Sequence, residues 1–188
     1  MLKKVVLKAA GTTLVLAMFA GAAVAADAPA GDAAAPAPPP KPKVAALNQP
    51  VPDFTIKTYD GGMLKWTEMK KGKPMVINFM QTACSACLGE MNYMKQVKEG
   101  PEGKKYDFYT VAIDLQEAAA VKRYLTTYTQ FEGFNFLLDK DLDVMKTFGF
   151  ASTPSLALIT ADGKLAARIV GYSPEHEQVL MDKLKALK

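Results

Sequence analysis

The chain predicts an α/β domain built on a central mixed β-sheet flanked by helices. Two observations carry that expectation. A β-type run, Met75-Val76-Ile77-Asn78-Phe79, leads into a helical pattern from about Ser85 to Lys98 and then into a second β-type run, Tyr106 to Ile113, which together make a βαβ unit. Later, Ser155 to Thr160 and Leu165 to Val170 flank an Asp162-Gly163 turn and predict an antiparallel hairpin.

The N-terminus precedes any of this. Lys3, Lys4 and Lys8 lead into an uncharged run from Ala9 to Val24, and Ala23-Val24-Ala25 forms a small-x-small cleavage site, so residues 1–25 read as a secretory signal. The run is near the lower limit for a membrane span, roughly 17 to 25 residues, so cleavage and retention as an uncleaved anchor both stay open. No cysteine follows the run, which excludes a lipoprotein anchor. Export points to the periplasm, where disulfides persist.

Residues 26–49 change to Ala and Pro, including Ala35-Pro36-Ala37-Pro38-Pro39-Pro40, and read as an extended linker too poor in large apolar groups to fold. Residues 50–188 are then a single domain. Within it Phe54-Thr55-Ile56 and Met63 to Trp66 predict short strands around the Asp60-Gly61-Gly62 turn, with a charged stretch from Glu68 to Lys73 after them. After the βαβ unit come a helix from Gln116 to Tyr128, a strand from Phe134 to Leu138 and a helix from Leu142 to Phe148 stopped at Gly149, with Asp141 its expected N-cap. The hairpin follows, and Pro174 to Leu187 closes the chain as a helix. The spacing of Asp139, Asp141 and Asp143 is that of a calcium loop, but the glycine and the twelfth-place glutamate of such a loop are missing.

The formal charge of +4 belongs largely to the signal; setting aside Lys3, Lys4 and Lys8, 20 basic residues face 19 acidic ones. Nucleic acid is therefore not an expected partner.

Chemistry concentrates at Cys84-Ser85-Ala86-Cys87, which holds the only two cysteines. A thiol at the start of a helix meets unpaired N–H groups and the positive end of the backbone dipole, which favour its thiolate. A four-residue loop constrains the unfolded chain little, so a purely structural bridge has small reward. Structural zinc wants four ligands, and His176 is the only histidine. Redox chemistry is the preferred reading and metal binding the alternative.

Four motifs in order carry a family resemblance: Val51-Pro52-Asp53-Phe54, Gly72-Lys73-Pro74-Met75-Val76-Ile77-Asn78-Phe79, Cys84-Ser85-Ala86-Cys87 with Glu90, and Thr153-Pro154-Ser155. Over nearly all of residues 50–188 the chain resembles the thioredoxin superfamily, and within it the TlpA/ResA-like exported thiol:disulfide oxidoreductases. The resemblance implies a thioredoxin-like fold and an enzyme that needs no cofactor. It implies Cys84 as exposed nucleophile, Cys87 as buried resolving thiol, and Thr153 and a cis Pro154 as the substrate-binding loop facing them. Thioredoxins keep a buried acid on the strand before the motif; Asn78 stands there and cannot titrate. The family's substitute is a glutamate three residues past the second cysteine, here Glu90, which shares a helix face with Cys87. The family's aromatic residue before the first cysteine is replaced by Ala83, which leaves the partner-binding patch different or more open.

The resemblance further implies exported protein substrates with disulfides or C-x-x-C sites, apocytochrome c among them, and a membrane thiol reductant as electron donor. Contact with the membrane itself is expected only if the N-terminal segment stays uncleaved. Ser85-Ala86 lacks a cationic neighbour for the thiolate, which points to a reductant or a mid-potential exchanger. The competing reading is a copper(I) carrier using the same thiols with Met80, Met91 and Met94, since thioethers suit soft metals. A peroxidase wants a threonine farther from the cysteine and a nearby arginine, whereas Thr82 is too close and Arg occurs only at 123 and 168. A non-catalytic binding module would require both thiols to be inaccessible.

Overall fold

In the computed structural model, which describes residues 43–187, a seven-stranded mixed sheet carries helices on both faces. In chain order the elements are β1 (Thr55–Thr58), β2 (Met63–Lys65), α1 (Trp66–Met69), β3 (Met75–Met80), α2 (Ser85–Glu99), β4 (Asp107–Ala112), α3 (Ala118–Thr127), β5 (Asn135–Leu138), α4 (Asp143–Thr147), β6 (Ser155–Ile159), β7 (Leu165–Val170) and α5 (Pro174–Ala186). Single 3-10 turns precede β4 and β5. The strand order is β2-β1-β5-β4-β3-β6-β7. β5, β4 and β3 run parallel, while β1, β6 and β7 join antiparallel.

The centre of this sheet follows from composition. Every residue of β3 is buried, as is every residue of β6, because both faces of a central strand are covered and the runs are apolar apart from Asn78 and Ser155. Alternation then divides the core. Val76, Met80, Phe108, Ala112, Leu156 and Leu158 pack with Met91, Val121, Tyr124 and Leu180 of α2, α3 and α5. Met75, Ile77, Phe79, Val111 and Ile159 pack on the opposite face with Trp66, Val144, Met145 and Phe148.

Three expectations are corrected. Trp66 ends no strand; it opens the four-residue helix α1, buried among Phe54 and Phe148 at ring-centroid distances of 5.2 and 6.4 Å. Asp141 does not cap α4: the cap position is Leu142 at φ 63°, and the buried Asp139 carboxylate accepts from the amides of Val144 (3.3 Å) and Met145 (2.8 Å). The linker does not reach residue 49. Ala45 is buried and donates to the Thr147 carbonyl at 2.7 Å, Asn48 donates to the Leu165 carbonyl at 2.8 Å, and Leu165 donates back to Gln49 at 3.1 Å. Arg168 locks this segment by donating from Nη2 to the Ala45 carbonyl and from Nε to the Phe148 carbonyl. Backbone pairing, which composition does not register, adds residues 45–49 to the domain. The signal and most of the linker lie outside the described residues.

Candidate active site

The site forms where β3 ends and α2 begins. Cys84 is the N-cap of α2, in extended backbone conformation, and its Sγ accepts from the Cys87 N–H at 3.1 Å. This is the position at which a side-chain acceptor satisfies one of the unpaired amides of a helix start, so a sulfur carrying negative charge is favoured there. The helix behind it is fifteen residues long. Cys84 and Cys87 form a disulfide with their Cα atoms 5.2 Å apart. The two sulfurs differ in access: Cys84 is half-buried, whereas Cys87 is 0% exposed and joins the core.

The buried side of α2 comprises Cys87, Glu90, Met91, Met94 and Val97. Glu90 is 1% exposed, and its Oε2 has no hydrogen-bond partner among the described residues. Burial pushes its carboxyl up to about 8, because no nearby charge or donor offsets the loss of water around the anion. Three helix positions separate it from Cys87, a spacing that sets Cβ atoms roughly 5 to 6 Å apart on one face.

Asn78 faces the same helix from β3. Its Nδ2 donates to the Met91 thioether at 3.2 Å, and Thr110 Oγ1 approaches that sulfur at 3.8 Å from β4. Met91 is thus an acceptor for strand polar groups as well as core filler, and Met80 and Met94 are fully buried with it. All three methionines therefore serve packing, the bland use of thioethers.

Beyond the helix, Gly89 permits a close approach: a Cβ there would stand 2.7 Å from the Tyr172 ring. Tyr172 donates to Glu177 Oε1 at 2.5 Å, and Tyr93 donates to the Glu177 carbonyl at 2.9 Å, which ties α2 to the start of α5. Burial first, and then Glu177, push the Tyr172 phenol up to about 12. His176 is half-buried with Nδ1 3.1 Å from the Gly171 carbonyl.

The Thr153-Pro154 loop lies beside the cysteines by register. Ser155 pairs with Phe79, so the residues before Ser155 flank the end of β3 from which the Cys84 loop departs. The Thr153–Pro154 peptide is cis, as the resemblance implies. The Pro154 carbonyl accepts from Gly171 N–H at 2.8 Å, while Thr153 N–H and C=O have no partner among the described residues.

On the other flank is a residue that sequence reasoning missed. Asp114, just past β4, is 8% exposed and accepts from Thr82 N–H at 3.1 Å and Thr82 Oγ1–H at 2.8 Å. The signal for it was weak: an acid one residue beyond a β-run, with its partner 32 positions away. Ala83, Ser85 and Ala86 are exposed around Cys84, and Leu115, next to Asp114 in the chain, is 79% exposed. Trp66 lies in the cluster on the opposite face of the sheet and does not replace the missing aromatic at position 83.

Comparison with known proteins agrees with this geometry. The Redoxin family model matches residues 46–184. The thiol-disulfide oxidoreductase ResA of Bacillus anthracis is 30% identical over 134 residues, which cover 70% of this chain and 73% of that one. ResA of Bacillus subtilis (strain 168) is 28% identical over 127 residues, 66% of this chain and 67% of that one. Among solved structures, a Chlorobium tepidum protein described as a thiol:disulfide interchange protein DsbE superposes with a TM-score of 0.67 over 76% of this chain and 97% of its own, at 20% identity, a likeness of fold alone. The structure of MTB dsbF, in mixed oxidised and reduced forms, superposes with a TM-score of 0.61 over 72% and 95% of the two chains, at 27% identity. The chain belongs to the Redoxin family, and it is a thiol:disulfide oxidoreductase of thioredoxin-like fold whose redox pair is Cys84 and Cys87.

Proposed function

We propose that the enzyme works as a reductant of disulfides in exported proteins, with C-x-x-C-H segments of apocytochrome c as the substrate class and the periplasm as its compartment. The observation that carries the catalytic part is the asymmetry of the pair: a reachable Cys84 sulfur at the helix N-cap, and a Cys87 sulfur in the core on the same helix face as a buried carboxyl whose Oε2 has no partner among the described residues.

In the reduced enzyme the Cys84 thiolate attacks one sulfur of the substrate disulfide. The substrate S–S bond breaks, a Cys84–substrate S–S bond forms, and the first substrate thiolate leaves. Glu90 then takes the proton of the Cys87 thiol. The Cys87 thiolate attacks Cys84 Sγ, which closes the Cys84–Cys87 bridge and releases the second substrate thiolate. A carboxyl raised to about 8 is a stronger base than an ordinary glutamate, which suits it to taking that proton and returning it. Return to the dithiol needs two electrons and two protons from a thiol donor, which we assign to a membrane thiol reductant.

Thr153, whose backbone N–H and C=O have no partner among the described residues, is the natural place for an extended substrate segment to add hydrogen bonds. The compartment rests on the charged start, uncharged run and Ala23-Val24-Ala25 of the N-terminus. Among the described residues no helix is long and apolar enough to cross a membrane.

The test has two arms. Cys87→Ser should accumulate a mixed disulfide through Cys84 with a C-x-x-C-H peptide disulfide, read by mass spectrometry, whereas Cys84→Ser should accumulate none. Faster alkylation of Cys87 than of Cys84 in the reduced protein would reverse the assignment. A reduction potential near −120 mV in place of one near the thioredoxin value of about −270 mV would make the enzyme an oxidant.

A further inference from the structure

We propose that Asp114 is a positioning residue of the redox pair, fixing the turn that presents Cys84 and biasing the Cys84–Cys87 couple toward the disulfide by its negative charge. The inference deepens the reductant reading and rests on it for its physiological sense.

A single peptide group links the carboxylate to the cysteine. Thr82 N–H donates to both Asp114 oxygens, at 3.2 and 3.1 Å. The carbonyl of that same peptide, Gln81 C=O, accepts from Cys84 N–H at 3.2 Å. The Thr82 hydroxyl adds a third bond to Asp114 at 2.8 Å. The Gln81–Cys84 turn is thus held at its first peptide by a largely buried acid, and hydrogen bonds in series polarise one another.

β-sheet register supplies the acid. Met80 pairs with Ala112, and Ile113 N–H donates to the Met80 carbonyl at 3.0 Å, so the chain leaves β3 and β4 side by side and Asp114 meets Thr82. The carboxylate therefore lies well inside a Debye length of about 8 to 10 Å from the Cys84 amide, in a place that water screens poorly. A negative charge there disfavours the Cys84 thiolate. Since the disulfide carries no such charge, the reduced form loses stability relative to the oxidised one, and the protein becomes the stronger electron donor. The helix start acts in the opposite sense, favouring the thiolate, and Asp114 offsets it. This balance is available where no cation lies between the cysteines, as with Ser85 and Ala86.

The experiment is the equilibrium of the full-length protein with glutathione, in which one bridge and two glutathione thiols exchange for one dithiol and one glutathione disulfide. Asp114→Asn keeps an amide oxygen for Thr82 but removes the charge. It should move the equilibrium at least threefold toward the dithiol, about 14 mV at 29.6 mV per tenfold. Thr82→Val keeps the charge and strips its hydroxyl partner, and should move the equilibrium about twofold the other way. A role limited to holding the loop would move both variants in the same direction or neither, and either result overturns the proposal. If Asp114→Asn fails to fold, Thr82→Val decides alone: an equilibrium unchanged or shifted toward the dithiol refutes it. The wild-type potential tests the direction of electron flow, and the differences between variants and wild type test Asp114, so the two can fail separately.

Discussion

Replacing Glu90 by Gln tests the buried acid in two independent ways. In the folded protein the carboxyl sits at about 8, against an ordinary value of 4.5. Between those values the native state binds more protons than the unfolded state, so stability falls as pH rises. The contribution of the protonated carboxyl is complete below pH 4.5 and is lost as pH passes 8. The slope approaches about 1.4 kcal/mol per pH unit, which over the window amounts to on the order of 5 kcal/mol. Gln has nearly the same shape and does not titrate. Urea unfolding of the oxidised protein from pH 4.5 to 9 should therefore show wild type and Glu90→Gln nearly equal at the acid end, with the variant gaining several kcal/mol by the alkaline end, on the order of the slope just given. The bridged cysteines do not titrate, and the difference between the two proteins removes other groups, Asp139 included. A difference constant across the range would refute the reasoning, because a hydrated Glu90 has no such window. In the reduced protein the same change should slow release of the mixed disulfide and remove an inflection near pH 8 from the profile.

Met91→Leu conserves volume but leaves the Asn78 amide and the Thr110 hydroxyl without their acceptor, so it should cost about 1 to 3 kcal/mol in urea unfolding while the exchange rate stays within a few-fold. A neutral result would show that those donors find other partners. Arg168→Ala should release residues 45–49 from β7, seen as faster proteolysis at that segment and a loss of roughly 1.5 to 3 kcal/mol, with an unchanged potential. Protection equal to wild type would mean that the Ala45, Asn48 and Gln49 backbone bonds hold the segment alone.

Much of the fold was legible because its strongest signals are local. A six-residue strand apolar but for Asn78, a glycine-stopped helix and an Asp162-Gly163 hairpin each announce themselves within about a dozen positions. The misread elements depend on distant partners. Helix α1 is one turn long and too short for a period, so Trp66 passes for a strand residue. Asp139 caps α4 from outside the turn because Leu142 takes positive φ, a conformation that sequence assigns to Gly or Asn before Leu. Residues 45–49 join the domain through backbone bonds that any composition can make. Of the site, Cys84, Cys87 and Glu90 were legible from spacing and resemblance. Asp114 was not, since what gives it a role is the parallel register that seats β4 beside β3.

Asn78 in place of an acid has a mechanical consequence. Asn78 and Cys87 belong to different elements, a strand and a helix, so an acid on the strand would keep its distance to Cys87 only as well as the two elements keep theirs. Glu90 and Cys87 belong to one helix, and of the residues on its buried side Glu90 is the one acid. Their separation is set by helix geometry and survives any shift of α2 against the sheet as the bridge opens and closes. Freed from proton transfer, position 78 ties β3 to α2 through Met91. In the roles proposed above, Asp114 acts from the sheet on the half-exposed thiol and Glu90 acts from the helix on the buried one. The two sulfurs are therefore adjusted by different acids on different elements, so a substitution at either acid should alter one cysteine's ionisation while leaving the other's nearly unchanged, which separate alkylation profiles of Cys84 and Cys87 read directly.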